Sequence, residues 1–138
     1  MTPEQITLIQ DSFSKVVPIR EEAARMFYAR LFELDPSLHS LFHGDMTEQG
    51  RKLMTALSLV VQGLKNLESL SPMVRELGAR HARYGAESRH YETVATALLW
   101  TLEQGLGDAF TDDTRQAWTT AYGVLSSTMI EAGAAKAA

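Results

Sequence analysis

The sequence predicts an all-α fold, a single domain of about seven helices. Apolar residues recur at helical spacing along almost the whole chain, whereas the polar–apolar alternation typical of strands is hard to find. Capping hydroxyls and prolines separate the periodic segments and mark where helices begin. With 138 residues and a 45% hydrophobic composition, the chain can build one core large enough to enclose a cofactor.

Composition excludes several classes of function. The 13 Lys and Arg residues are scattered among 17 Asp and Glu residues, for a net charge of -4, which disfavours nucleic acid and anionic membranes as partners. There is no cysteine to form disulfides, thiolate metal sites or a cysteine nucleophile. The segment 1–5 lacks the features of a signal peptide, and no apolar run approaches the ~20 residues that span a bilayer. We therefore expect a soluble, cytoplasmic protein.

Local signals place the first three helices. The first begins at Thr2, whose hydroxyl can cap a helix with a proline and acidic residues in its first turn, and it runs to about Val16. Pro18 opens the second, whose apolar face carries Tyr28 inward. Pro36 suits the first turn of a short third helix.

The middle of the chain carries two further helices. The polar corner 43–45 predicts a turn without a helix of its own, and the fourth helix begins near Thr47 with Leu53 on its buried stripe. The pair 71–72, a serine followed by a proline, predicts the start of the fifth helix. His81 extends the apolar stripe of that fifth helix.

The last two helices begin near Ser88 and at Thr111, where a hydroxyl followed by two acids suits the positive end of a helix. From Ala132 onward the sequence is rich in alanine and has no bulk to pack, so we expect this end to fray. We divide the chain into a domain of residues 2–131 and a tail of residues 132–138.

The candidate chemistry lies in a combination of residues. A single histidine on an apolar stripe, such as His81, is more often a hydrogen-bonded core residue than a metal ligand, and a buried tyrosine such as Tyr28 can merely bridge two helices. Here, however, the histidine stripe occurs together with an inward tyrosine and with an aromatic residue, Phe42, soon after a proline turn. This combination calls for a common explanation.

Three segments carry a resemblance to the globin family over nearly the whole chain except its ends. Residues 27–32, with Pro36 and Phe42, resemble the stretch that supplies the family's distal tyrosine, helix-opening proline and haem-packing phenylalanine. Residues 78–85 are similar to the proximal segment, and residues 117–123 resemble the last helix of flavohaemoglobins, bacterial single-domain globins and neuroglobin. The resemblance implies a globin fold around a haem pocket.

On this resemblance, the cofactor is haem b and its iron ligand is His81. Haem needs a neutral imidazole ligand, a flat slot between helices and apolar walls that keep water away from the ferrous iron. The second imidazole nitrogen needs an acceptor, for which the carbonyl of Leu77 one turn earlier is suitable. The other residues expected to line the slot are Phe42, Leu53, Val94 and Leu98, with Tyr91 on the proximal side.

The resemblance to flavohaemoglobins implies that Tyr28 and Gln49 face the gas ligand. Gln49 aligns with the family's distal glutamine if the preceding corner is short; in another register His43 or Arg51 takes that place. Oxygen on ferrous haem gains superoxide character, and a hydrogen-bond donor beside it in a dry pocket stabilises the bound state. A glutamine at this position implies a five-coordinate ferrous iron.

The remaining polar residues near the expected slot have weaker signals. Cations that can pair with the haem propionates are Lys52, Arg80 and Arg83, although exposed basic residues on helices are usually only solvated. The other three histidines, His39, His43 and His90, are interpreted as surface or corner residues.

Two departures from flavohaemoglobins bear on function. Ala135 stands where they have a proximal glutamate, and Glu131 is not an obvious substitute, which weakens the case for fast oxygen chemistry. The chain ends where their reductase domain would begin, and it has no Gly-rich motif for FAD or a nicotinamide, so catalysis would need an external reductase.

Three functions remain open at this point. The first is reversible binding or transport of oxygen, with nitric oxide and carbon monoxide as further ligands and with nitric oxide dioxygenation as an accompanying activity. The second is a gas sensor or storage protein that acts through a partner. The third is a haem-free interaction module, if His81 is only a core residue. In each case we expect a monomer or a weak homodimer.

Overall fold

The protein, described by a computed structural model, consists of six α-helices joined by short 3-10 turns. The structure describes the backbone of residues 1–137 and the side-chain surroundings of residues 1–134. The helices are α1 (Pro3–Val16), α2 (Arg20–Leu34), α3 (Met46–Gln62), α4 (Leu67–Arg83), α5 (Ser88–Leu106) and α6 (Asp112–Ala137). The 3-10 turns are Val17–Ile19, Pro36–Leu41, Leu64–Asn66 and Gly107–Ala109. No strand occurs in residues 1–137, so the predicted all-α class is confirmed.

Side-chain caps fix several helix starts. The Thr2 hydroxyl accepts from the Gln5 N–H at 3.1 Å, and the Gln5 side chain accepts from the Thr2 N–H at 3.0 Å. The Asp45 carboxylate caps α3 by accepting from the N–H of Thr47 at 2.9 Å. The Thr111 hydroxyl accepts from a backbone N–H of α6 at 3.2 Å. The predicted starts at Thr2, Thr47 and Thr111 are therefore confirmed.

The structure corrects two predicted helices. The short helix after Pro36 is a 3-10 turn, which leaves six α-helices rather than seven, while the corner after it has no helix, as predicted. The helix predicted to start at residues 71–72 begins instead at Leu67, and Pro72 lies inside it. The turn 64–66 leads directly into α4, and Pro72, the sixth residue of this helix, cannot donate the backbone hydrogen bond that its position would otherwise make to the Glu68 carbonyl.

The alanine-rich end is helical farther than expected. Ala132 is 5% exposed, and Gly133 is also buried, because both pack on α4. The expectation that the chain frays from Ala132 is therefore wrong for these two residues, since small side chains let the two helices approach closely. The boundary at residue 131 stays a prediction, and Ala138 lies outside the described residues.

Helix packing attaches α4 mainly to α6 and leaves it without an extensive interface to α3 or α5. α2 packs on α3 and α5, and α1 packs on α6, with Trp118 of α6 buried and donating to the Ser12 hydroxyl at 2.9 Å. α4 packs along α6 and makes only marginal contact with α3 and α5. The apolar faces of α3 and α4 are thus left separated. Among residues 1–137, no helix combines the length and apolar character of a bilayer-spanning segment.

The contact that holds α4 is a backbone crossing at Gly78. A β-carbon added at Gly78 would overlap the carbonyl oxygen of Met129 and would lie 2.5 Å from the Met129 Cα. On the next turns, a β-carbon at Gly133 would lie 3.1 Å from the Ala82 Cβ. The glycines therefore set the distance between α4 and α6, and through it the position of the wall that carries His81.

Candidate functional site

His81 lies in the last turn of α4 with an exposed side chain. Its Nδ1 is 2.6 Å from the carbonyl oxygen of Leu77, the acceptor expected from the sequence. A carbonyl can only accept, so Nδ1 carries the proton and donates it to this hydrogen bond. The lone pair of the neutral ring is then on Nε2, which is the tautomer that a metal ligand requires.

The turn that carries His81 is closed by a glycine. The Ala86 N–H donates to the His81 carbonyl at 2.9 Å, and the Gly85 N–H donates to the Ala82 carbonyl at 3.1 Å. Gly85 has φ of 100°, so this is the Schellman arrangement, in which a left-handed residue reverses the chain. The end of α4 is fixed by backbone bonds directly behind His81.

Replacing Gly85 by alanine tests this fixation. We expect the free energy of unfolding to fall by about 1–2 kcal/mol, because a side chain destabilises the left-handed conformation. Urea denaturation checks the result. Gly44→Ala is a matched control, since Gly44 lies in a loop, has nothing within 4 Å of its added β-carbon and has no positive φ. Equal stability of the two variants would contradict the assigned role of Gly85.

Tyr91 lies beside the histidine on the proximal side. It is half-buried in the first turn of α5, and its ring centroid is 6.5 Å from that of His81. Its carbonyl accepts a hydrogen bond from the Tyr122 hydroxyl at 2.6 Å. Burial raises the pKa of the Tyr91 phenol. Burial is also the larger cause of the raised pKa of Tyr122, and the nearby Tyr91 phenol is the smaller cause. Both phenols are therefore neutral around pH 7.

The interpretation of His90 as a surface or corner residue is wrong. His90 is 8% exposed and forms a reciprocal cap with Glu87 at the start of α5: its Nδ1 accepts from the Glu87 N–H at 2.9 Å, while the Glu87 side chain accepts from the His90 N–H. The spacing of an acid and a polar residue three apart before an apolar run was the signal that could have revealed this cap.

The residues expected to line the cofactor slot between α3 and α4 are mostly apolar. Leu53 and Leu57 follow Gln49 at four-residue intervals, so the three share one face of α3. Leu53 was among the predicted site residues, and Leu57 was not. The predicted lining residues Phe42, Leu53, Leu77 and Val94 are half-buried, and Leu98 is buried. Half-exposed apolar side chains beside a neutral imidazole fit a flat, largely apolar group such as haem.

On the distal side the structure brings Tyr28 and Gln49 together. Tyr28 is 8% exposed, and its ring packs edge-on against Phe42 with centroids 5.4 Å apart. The Gln49 amide nitrogen lies 3.4 Å from the Tyr28 hydroxyl and donates a long hydrogen bond to it. Burial raises the Tyr28 pKa, and the smaller effect of Gln49 opposes it. The phenol thus keeps its proton at neutral and mildly alkaline pH.

The two alternatives for the distal position lie elsewhere. His43 is exposed in the corner before α3. Arg51 is exposed and its guanidinium lies 3.7 Å from both Glu21 and Glu48. Gln49 is thus the one of these three candidates that contacts Tyr28, and this favours the register with the short corner.

The basic residues expected to pair with the haem propionates lie on α3 and α4. Lys52 is exposed on α3. On α4, Arg80 and Arg83 share the carboxylate of Glu76, at 3.7 Å and 3.4 Å. Such exposed pairs contribute little to stability, roughly 0–1 kcal/mol, so these arginines remain available to another anion.

Three residues from the sequence analysis remain. His39 is exposed, as expected, and stacks on Phe32 with centroids 3.7 Å apart. Glu131 is exposed on α6. The side chain of Ala135 lies outside the described residues.

Comparison with known proteins identifies the family. The globin family model matches residues 25–129. Neuroglobin of Danio rerio is 32% identical over 88% of this chain and 86% of its own length. A flavohemoprotein of Vibrio cholerae is 30% identical over 95% of this chain, which spans 34% of that longer protein. An engineered carbene transferase from the candidate nitric oxide dioxygenase of Rhodothermus marinus superposes with a TM-score of 0.87 at 27% identity, covering 98% of this chain and 94% of that one.

The chain belongs to the globin family. The predicted globin fold is confirmed, and membership implies a haem cofactor and a diatomic gas as ligand.

Proposed function

We propose that this globin holds haem b between α3 and α4 with the His81 Nε2 on the iron, and that it binds oxygen reversibly. The observation that carries the proposal is the hydrogen bond from His81 Nδ1 to the Leu77 carbonyl, because it leaves the lone pair on Nε2, as an iron ligand requires. His81 lies on α4, which does not pack extensively on α3. Nitric oxide and carbon monoxide are the further ligands expected at such a site.

Haem supplies an iron with one coordination position free for a diatomic ligand. The chain supplies the rest. Its apolar walls exclude water, which limits oxidation of ferrous iron. The Tyr28 hydroxyl and the Gln49 amide donate hydrogen bonds to a ligand that gains negative charge, and in a dry pocket such bonds are stronger than in water. The raised pKa of Tyr28 keeps this donor protonated.

Replacing Tyr28 by phenylalanine tests the donor. A hydrogen bond to a charged acceptor contributes roughly 1.5–3 kcal/mol, so we expect oxygen dissociation to become faster by roughly tenfold or more. Carbon monoxide dissociation should change much less, because that ligand is less polar when bound. Stopped-flow ligand replacement measures both rates.

Tyr84→Phe is the matched control, because Tyr84 is 69% exposed and its phenol should not affect the ligand. An oxygen dissociation rate in Tyr28→Phe equal to that of the control would show that Tyr28 is not the donor.

Conversion of nitric oxide to nitrate is the activity we attach to this site. The Rhodothermus marinus protein, a similar chain described as a candidate nitric oxide dioxygenase, supports this activity. The overall reaction, O2 + NO + e⁻ → NO3⁻, needs one electron in each turnover, for which we propose an external reductase as partner. Mixing the oxygenated protein with nitric oxide tests this activity. Slow nitrate formation would leave oxygen binding or transport, or gas sensing and storage through a partner, as the role.

A further inference from the structure

His39 stacks on an aromatic cluster that borders the Tyr28 phenol. Its side chain is exposed in the 3-10 turn Pro36–Leu41. The centroid of its ring is 3.7 Å from that of Phe32, and the two ring planes are inclined by 22°. Phe32 is half-buried, so the imidazole covers part of the Phe32 ring from water.

The ring of Phe32 lies one helical turn after Tyr28 on α2, and the centroids of these two rings are 6.1 Å apart. Phe42 packs edge-on against both of them, with its centroid 5.4 Å from that of Tyr28 and 5.5 Å from that of Phe32. The His39 carbonyl accepts from the Phe42 N–H at 3.1 Å. His39 thus contacts two of the residues whose rings border the Tyr28 phenol, one through its side chain and the other through its backbone.

Ring packing, rather than a strong hydrogen bond, determines where the Tyr28 hydroxyl lies. The Gln49 amide nitrogen is 3.4 Å from the hydroxyl oxygen, beyond the usual range of roughly 2.7–3.2 Å for N–H···O bonds, so this contact is weak. Aromatic rings in contact prefer particular relative orientations, and each ring therefore limits the movement of the next. The direction of the Tyr28 hydroxyl follows from the positions of the rings around it.

We propose that His39 is a positioning residue for Tyr28, acting through the ring of Phe32. The inference rests on the proposed function, in which the Tyr28 hydroxyl donates a hydrogen bond to the gas ligand. The imidazole holds the Phe32 ring against Tyr28, and this packing keeps the hydroxyl directed at the ligand. A flat ring at position 39 is required, and the charge of the imidazole has no part.

The test uses the full chain loaded with haem and the single change His39→Ala. We expect oxygen to dissociate about threefold faster, because a donor that is held less firmly still reaches the ligand part of the time. Carbon monoxide dissociation should change little. The carbon–oxygen stretching band of bound carbon monoxide, which responds to nearby hydrogen-bond donors, should shift or broaden in infrared spectra.

Two single variants serve as controls. His39→Phe keeps a flat ring at this position and should match the parent in the oxygen dissociation rate and in the infrared band. His43→Ala removes another exposed histidine, in the corner that follows, and should also match the parent. If His39→Ala does not fold, His39→Asn provides the same test, because asparagine also lacks the ring and suits a turn.

Double variants establish the path of the effect. In a Tyr28→Phe background, His39→Ala should cause no further acceleration of oxygen dissociation, because the hydroxyl that it positions is gone. In a Phe32→Leu background it should again cause none, because the ring that transmits the effect is gone.

The outcomes that overturn the inference are distinct. An unchanged oxygen dissociation rate in His39→Ala shows that His39 does not act on the donor, and a faster rate in His39→Phe shows that the flat ring is not what matters. Acceleration by His39→Ala that persists in either double variant shows that the effect does not pass through Phe32 and Tyr28. By contrast, a parent protein without haem, or a Tyr28→Phe variant that releases oxygen at the parent rate, refutes the proposed function itself.

Discussion

A His81→Ala variant should lose most of its affinity for haem, because the proposed ligand of the iron is removed. Loss of residues that merely orient a metal ligand already reduces metal affinity by roughly 10–100-fold, and removal of the ligand itself should exceed this. We expect the purified variant, expressed with haem supplied, to show little of the Soret absorbance of the parent. Whatever haem remains should lack the five-coordinate ferrous spectrum. Absorbance and titration of the apoprotein with haem give both quantities.

Two controls make the result specific. His43→Ala removes an exposed histidine from the corner before α3 and should bind haem like the parent. Free imidazole added to His81→Ala should restore a nitrogen ligand and part of the parent spectrum. If His81→Ala binds haem with unchanged affinity and coordination, His81 is not the ligand and the proposed function fails.

The second large effect is expected from Gly78→Ala. The new β-carbon would overlap the Met129 backbone, which cannot move aside as a flexible side chain can, so α4 and α6 must separate. We expect a loss of about 3 kcal/mol in the free energy of unfolding, at the upper end of the usual range for overpacking. Urea denaturation measures it.

Gly123→Ala is the matched control on α6, because nothing lies within 4 Å of its added β-carbon. Alanine also favours helix over glycine by about 1 kcal/mol, so this control should equal or exceed the parent in stability. Because α4 carries His81, Gly78→Ala should in addition lose haem faster than Gly123→Ala. Similar stability for both variants would mean that the crossing at Gly78 is looser than described.

The helix starts could be predicted because their causes are local. Thr2 and Thr111 cap backbone groups only a few residues away, so the sequence window contains both partners of each bond. The polar corner before Thr47 is predictable for the same reason. Gln49 was placed by the resemblance to flavohaemoglobins, and its four-residue spacing from Leu53 puts both on one face of α3.

Features that depend on distant parts of the chain were not predictable from such windows. Ala132 and Gly133 are buried rather than frayed, because α4 and α6 approach each other closely. No local pattern shows that Gly133 will meet Gly78 and Ala82 of α4. His90 is the opposite case, since its capping partner Glu87 is close in sequence and its spacing was informative.

The attachment of α4 to α6 also bears on how the prosthetic group is acquired. The wall that presents His81 is held by contacts within the polypeptide, at Gly78 and Gly133, and its end is tied off at Gly85. These contacts involve no prosthetic group, so a newly synthesised chain can form this wall before the prosthetic group binds. The conformational entropy of that wall is lost during folding, so this loss does not reduce the affinity for the prosthetic group.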